Sequence, residues 1–204
     1  MNSLLIYSHS NEAQLKCAYL IKEMIMVLDN ETKFGTVSKV FHWLSALVIL
    51  GLFAVGFWMV DLNYYSEWYR TAPYWHKSIG ILLLGFTLAR LLWKFITPSP
   101  KTLTTHTKLT QLATKLGHLA LYSILLVILI SGYLISTADG RAIEVFTWFE
   151  VMSLGELIAN QEDVAGSIHK YAAYSLMAIV LIHILAALKH HFIDKDATLR
   201  RMIK

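Results

Sequence analysis

Four histidines sit inside runs of residues apolar enough to cross a lipid bilayer: His42, His76, His169 and His183. Ionisable side chains are expensive in hydrocarbon, and inside a membrane segment they mark function by default. His169 and His183 share one run and are 14 residues apart. At about 100° per residue that separation falls roughly 40° short of four whole turns, so both imidazoles leave the same helix face. Along the axis they stand roughly 21 Å apart. One face therefore offers a nitrogen ligand near each side of a bilayer, which suits two cofactors stacked across a membrane.

The elements that must position these residues are legible in the composition. Of 204 residues 56% are hydrophobic and 16% charged, against about 25% charged in an ordinary soluble domain. The mean hydropathy is +0.51. Trp43 to Val60 carries no charge, Leu116 to Ser136 carries only His118, and Tyr171 to Leu188 is broken only by His183. The run from about Pro73 to Ile96 is apolar apart from His76, Lys77, Arg90 and Lys94. About 20 apolar residues cross a hydrocarbon core as a helix, which satisfies its own backbone there. The expected fold is an all-α integral membrane protein, a four-transmembrane-helix bundle with spans near 38–60, 73–96, 112–136 and 168–191. A single cysteine, Cys17, excludes an intrachain disulfide and any multi-cysteine metal site. Glycine-rich phosphate loops are absent, and nothing points to nucleic acid.

The loops orient the bundle. Lys33 and Lys39 precede span one; Lys94, Lys101, Lys108 and Lys115 surround the second connection; Lys189, Lys195, Arg200, Arg201 and Lys204 surround the end of span four. The third connection, about 137–167, holds Asp139, Glu144, Glu150, Glu156, Glu162 and Asp163 against Arg141 alone. Lysine and arginine mark the cytoplasmic side. Both termini and the second connection are therefore expected in the cytoplasm. Residues 1–32 read as a separate cytoplasmic extension, with a short amphipathic helix over 13–28 or a translation start at Met24 or Met26 as its two readings. The opening lacks the basic and long apolar regions of a secretory signal.

Depth then pairs the histidines: His42 with His183 on the inner side, His76 with His169 on the outer side. Two imidazoles from facing helices hold haem iron through one nitrogen on each face of the ring. Two axial histidines leave no open position, which favours electron transfer. Zinc fits poorly, because no carboxylate or thiolate lies at depth beside them. His118, at inner depth on span three, is the alternative inner ligand to His42. Arg90 is the deepest cation and a candidate partner for haem propionates; Lys94 and Lys115 equally satisfy the positive-inside pattern. Arg70, Lys77 and Arg141 are the cations noted on the outer side. His190 and His191 lie at the cytoplasmic boundary, with His190 a candidate for a quinone headgroup. Six tryptophans near the interfaces are explained by an aromatic belt. Gly80, Gly85, Gly117 and Gly132 could allow close approach of helices or of a flat macrocycle.

At these residues the chain resembles the bacterial cytochrome b561 family of four-helix, di-haem membrane proteins. The matching stretches are KVFHWLSAL in span one, YWHKSIGILLL in span two and ATKLGHLALY in span three. The most specific runs from SIHKYAAYSL through the double histidine to the tail KDATLRRM. The resemblance covers about residues 33–204 and implies axial ligands from spans one, two and four, which correspond to His42, His76, His169 and His183. It implies two haems b, and oxidation of superoxide at the outer, periplasmic face of the inner membrane, with electrons passing to ubiquinone. The partners implied are membrane lipid, quinone and a small one-electron donor, with a homodimer or a redox partner protein besides. Steering an anion needs positive potential at the entrance, and the acidic third connection offers the opposite. Either basic residues are focused around the outer haem or the donor differs. The competing reading is a cytochrome b subunit that anchors a dehydrogenase or hydrogenase and conducts its electrons. A bundle without cofactor is disfavoured by the 14-residue spacing and the depth-matched pairs.

Overall fold

Each apolar run becomes a helix that extends past its uncharged stretch. The computed structural model describes residues 27–203. The four spans are α1 (Thr36–Met59), α2 (Thr71–Ile96), α3 (Lys108–Thr137) and α4 (Gln161–Phe192). All four are long and apolar enough to cross a membrane. All four start before the expected spans, most at α3 and α4, while α1 ends one residue early, at Met59. Local chemistry sets those starts. The Thr107 side chain accepts from the Thr110 amide and caps α3. Asn160 turns into the left-handed region at φ 55°, and Glu162 and Asp163 follow in the first turn of α4, where the helix dipole favours acids. A short helix, α5 (Arg200–Ile203), ends the described chain. The amphipathic helix expected over 13–28 lies largely outside the described residues, and Cys17 wholly so.

The bundle is up-down-up-down. α4 packs along α3, α1 along α2, and α2 meets α3. Among the described residues, α4 makes no comparable backbone approach to α1 or α2; it faces them through side chains, such as the edge-on rings of Phe53 and Tyr174. The buried apolar core is small: Leu83, Leu125, Leu129 and Leu176. Most apolar side chains point outward, Leu47 at 72% exposure and Leu92 at 63%. A soluble bundle would reverse that pattern, whereas lipid solvates such a surface. The other buried positions on the helices are mainly small hydroxyl residues, Ser45, Ser78, Thr87, Ser131 and Thr137. Small residues let membrane helices approach closely. Ser45, Ser131 and Thr137 donate to carbonyls of their own helices, so their hydroxyls cost little in an apolar setting.

Loops close each end. At the basic end the described segment before α1 is tied down. The Asp29 carboxylate accepts from the Gly35 amide at 2.6 Å and the Ser38 hydroxyl at 2.6 Å. Gly35 must be glycine there, because a Cβ would lie 2.3 Å from the Val27 carbonyl oxygen. Glu31 meets Lys101 through both backbone and side chain. Contacts with the bundle therefore begin before residue 33. At the acidic end the third connection holds the one departure from an all-helical chain among the described residues. This is an antiparallel hairpin of β1 (Ile143–Val145) and β2 (Phe149–Val151). Ile143 and Val145 are buried, and the Ser78 hydroxyl of α2 donates to the Glu144 carbonyl. Gln161, 1% exposed, fastens the start of α4: its amide nitrogen donates to the Leu134 carbonyl, and its oxygen accepts from the Leu157 amide.

Gln161→Ala removes both bonds and leaves the Leu134 carbonyl and the Leu157 amide without that partner. It is expected to destabilise the protein by about 1–3 kcal/mol, read as a lower thermal midpoint in detergent. Glu156→Ala, in the same loop but exposed, is expected to shift stability by about 0.5 kcal/mol or less.

Candidate functional site

The four spans bring the histidines together as two facing sets, one at each end of α4. At the basic end the rings of His42 on α1 and His183 on α4 have centroids 6.3 Å apart, with planes at 56°. At the acidic end His76 on α2 and His169 on α4 are 6.2 Å apart, at 70°. Two imidazoles that bind one metal atom from opposite sides, at about 2 Å each, leave their centroids roughly 6 Å apart. Both separations match that arrangement. His118 on α3 also reaches His183, at 5.7 Å and 64°, so the basic end gathers three histidines.

The neighbours of each ring define which nitrogen is free. His169 Nδ1 lies 2.9 Å from the Ile128 carbonyl oxygen of α3. A carbonyl only accepts, so Nδ1 carries the proton and Nε2 keeps its lone pair. A second hydrogen bond of this kind is what orients a ligating imidazole and fixes its tautomer. Ser131 supports the same carbonyl and also stands 3.3 Å from Nδ1. His76 Nδ1 is buried with no hydrogen-bond partner among the described residues. At the basic end His42 Nδ1 accepts from the Arg90 guanidinium at 3.1 Å. Arg90 and Lys94 both lie over the Tyr122 ring, at 5.4 Å and 5.0 Å from its centroid. Aromatic faces hold cations in this way.

Two glycines seat the rings at the acidic end. A Cβ at Gly132 would lie 3.1 Å from His169 Cε1, and one at Gly56 would lie 3.1 Å from His76 Cε1. Of the four glycines singled out in the sequence, only Gly132 has this role. At Gly80, Gly85 and Gly117 an added Cβ meets no described protein atom within 4 Å, so they serve no close approach of helices and leave open space beside them. Gly56 and Tyr122 escaped the sequence reading, because a seat for a ring on another helix leaves no local pattern. Lys170 was missed for a plainer reason: it is a fourth outer cation, directly after His169, as Lys77 directly follows His76.

The remaining candidates fall elsewhere. His190 does not reach the two facing pairs. Its Nδ1 contacts Asp196 at 2.9 Å and Asp194 at 3.0 Å, beside His106. Burial alone would raise the Asp196 carboxyl. Hydrogen bonds from Thr198, His106 and His190 outweigh it and hold that group well below the usual carboxylate range. Arg141, on the acidic loop, is tied to Asp139 through its side chain. Among the aromatics, Trp43 donates to the Met202 carbonyl and Trp93 to Ser38, interfacial anchoring that agrees with a belt.

A family model described as prokaryotic cytochrome b561 matches residues 33–204. The chain belongs to that family. It is 51% identical over 171 residues to cytochrome b561 homolog 2 of Escherichia coli (strain K12), covering 84% of this chain and 91% of the relative. A more distant relative, a probable superoxide oxidase CybB of Yersinia pestis, is 24% identical over 183 residues, 84% of this chain and 96% of its own length. This cytochrome is thus a multi-pass, haem b electron-transport protein of the bacterial inner membrane. The facing imidazoles, the orphaned His76 nitrogen and the two glycine seats fit the haem that the family implies.

The seats can be tested directly. Gly56→Val and Gly132→Val are each expected to displace one ring of the acidic-end pair and lower bound haem, measured as pyridine haemochrome per chain. Gly51→Ala, where a Cβ meets nothing within 4 Å, is expected to leave haem content unchanged.

Proposed function

We propose that this cytochrome holds two haems b and passes electrons from superoxide at the periplasmic face to ubiquinone in the membrane. His76 and His169 would hold the iron of the outer haem, and His42 and His183 that of the inner one. The observation that carries this reading is the pair of 6.2 Å and 6.3 Å imidazole separations on a single face of α4. Each haem, when bound, supplies a one-electron centre. The overall reaction balances: two superoxide ions each lose one electron to give dioxygen, and one quinone takes two electrons and two protons to become quinol. The orientation that puts the outer pair in the periplasm rests on the lysines and arginines at the other end.

The chain's own residues have defined tasks in this scheme. The Ile128 carbonyl holds the His169 proton on Nδ1 and leaves Nε2 for iron. At the inner site, ligation through His42 Nε2 requires the proton on Nδ1, and Arg90 must then exchange that nitrogen for another acceptor. Haem propionates are such acceptors, which supports Arg90 as their partner. His42 is preferred to His118 because its separation from His183 repeats that of the outer pair, whereas His118 stands closer. At the outer end Lys77 and Lys170 are exposed beside the two ligands. They place positive charge at the outer pair although the third connection is acidic, and so favour the approach of an anion.

The competing reading, an electron conduit for a dehydrogenase or hydrogenase, has its own support. Glu144 and Glu150 stand directly opposite each other on the hairpin, both exposed. Like charges in that position destabilise a bare sheet, and a basic partner would relieve them.

Purified protein supplied with a superoxide generator and a soluble ubiquinone is expected to form quinol and deplete superoxide, with no further protein. Haem-loaded protein that does not turn over under these conditions contradicts the superoxide reading and favours the conduit. His76→Ala and His169→Ala are each expected to retain about one haem per chain, and His118→Ala to retain both. Arg90→Gln is expected to lower the potential of the inner haem by on the order of tens of millivolts, since a cation near haem favours the reduced state; a potentiometric titration reads this.

A further inference from the structure

The basic end carries a second cluster that the haem pairs do not use. His106 comes from the second connection, His190 from the last turn of α4, and Asp196 from the tail. Asp196 Oδ2 stands 3.0 Å from His106 Nε2 and 2.9 Å from His190 Nδ1. The three donor atoms all lie within 4.8 Å of one another. Their side chains are 13%, 15% and 6% exposed, so the cluster is sheltered without being sealed. It opens on a cavity of about 430 Å³ between the start of α3 and the end of α4.

We infer that His106, His190 and Asp196 form a binding site for a divalent cation of the zinc class. The donor set decides the class. Two imidazole nitrogens and one carboxylate oxygen suit zinc, with the fourth position left to water from the cavity. Magnesium and calcium ask for oxygen donors throughout. The set is also preorganised. The Thr198 amide donates to Asp196 Oδ1 at 2.8 Å and leaves Oδ2 directed at the two rings. The Asp196 amide donates to the His190 carbonyl at 3.0 Å, closing the tail back on α4. Lys189 holds Asp194, the other nearby carboxylate, in an ion pair. Arg201 donates to the Lys101 carbonyl at 2.8 Å and independently brings the tail to the second connection. An ion here joins the second connection to His190 at the end of α4 and to the tail six residues beyond His190, and so fixes the tail against the bundle. Among the described residues lining this cavity only Leu109 and Ala113 are aliphatic, so it offers little apolar surface to the isoprenoid tail of a quinone.

The test uses haem-loaded, tag-free protein in detergent, stripped with a chelator and titrated with zinc chloride against a chromophoric competitor. One zinc ion per chain is expected, with the haem spectrum unchanged. Zinc is also expected to slow tryptic cleavage at Lys195, Arg200 and Arg201. His106→Ala and Asp196→Asn should each weaken zinc binding by about tenfold or more and abolish the protection, while His191→Ala should change neither. Absence of saturable one-site binding by the unaltered protein overturns the proposal, even if the variants fail to fold. Unaltered zinc affinity in both His106→Ala and Asp196→Asn overturns it as well. Loss of superoxide turnover has no bearing on this titration, so the two readings fail separately.

Discussion

An imidazole placed inside a membrane must find partners for both ring nitrogens or remain an unsatisfied polar group in hydrocarbon. This bundle faces that demand four times: His169 and His42 have hydrogen-bond partners, while His76 Nδ1 is buried without one among the described residues. α4 carries two of the rings on one face. α1 and α2 each contribute one ring opposite, at separations that two ligands of one metal atom require. α4 packs its backbone against α3 and stands back from α1 and α2, so the helices whose histidines face each other are not the helices whose backbones pack most closely.

α3 supplies no ligand in this account, yet it sets the outer site. It presents the Ile128 carbonyl to His169, supports that carbonyl with Ser131, and leaves room for the ring at Gly132. At the inner end it supplies Tyr122, on which Arg90 and Lys94 rest. Gly56 does on α1 for His76 what Gly132 does for His169. The outer and inner sites therefore differ in kind. The outer rings are held by a carbonyl and by glycine seats, and the inner ring of His42 by a cation that can exchange its partner.

The spans, the pairing and the family were legible because each rests on a local or periodic signal. Apolar runs of bilayer length give the helices, and a 14-residue interval gives the shared face. The hairpin was less legible. Its strands are three residues each, inside a loop read for charge, although Ile143-Glu144-Val145 already alternates apolar and polar. Gly56 and Tyr122 could not be read at all, since their roles exist only when another helix is in place. His106 and Asp196 lie 90 residues apart in sequence. Neither attracts notice until the second connection, the end of α4 and the tail meet.

The account rests on two haems held by two histidine pairs, and the most direct measurement is a potentiometric titration of the visible spectrum with haem quantified per chain. Two low-spin b-type components with distinct potentials, at two haems per chain, are expected. One component at one haem per chain, or no haem at all, contradicts the paired assignment.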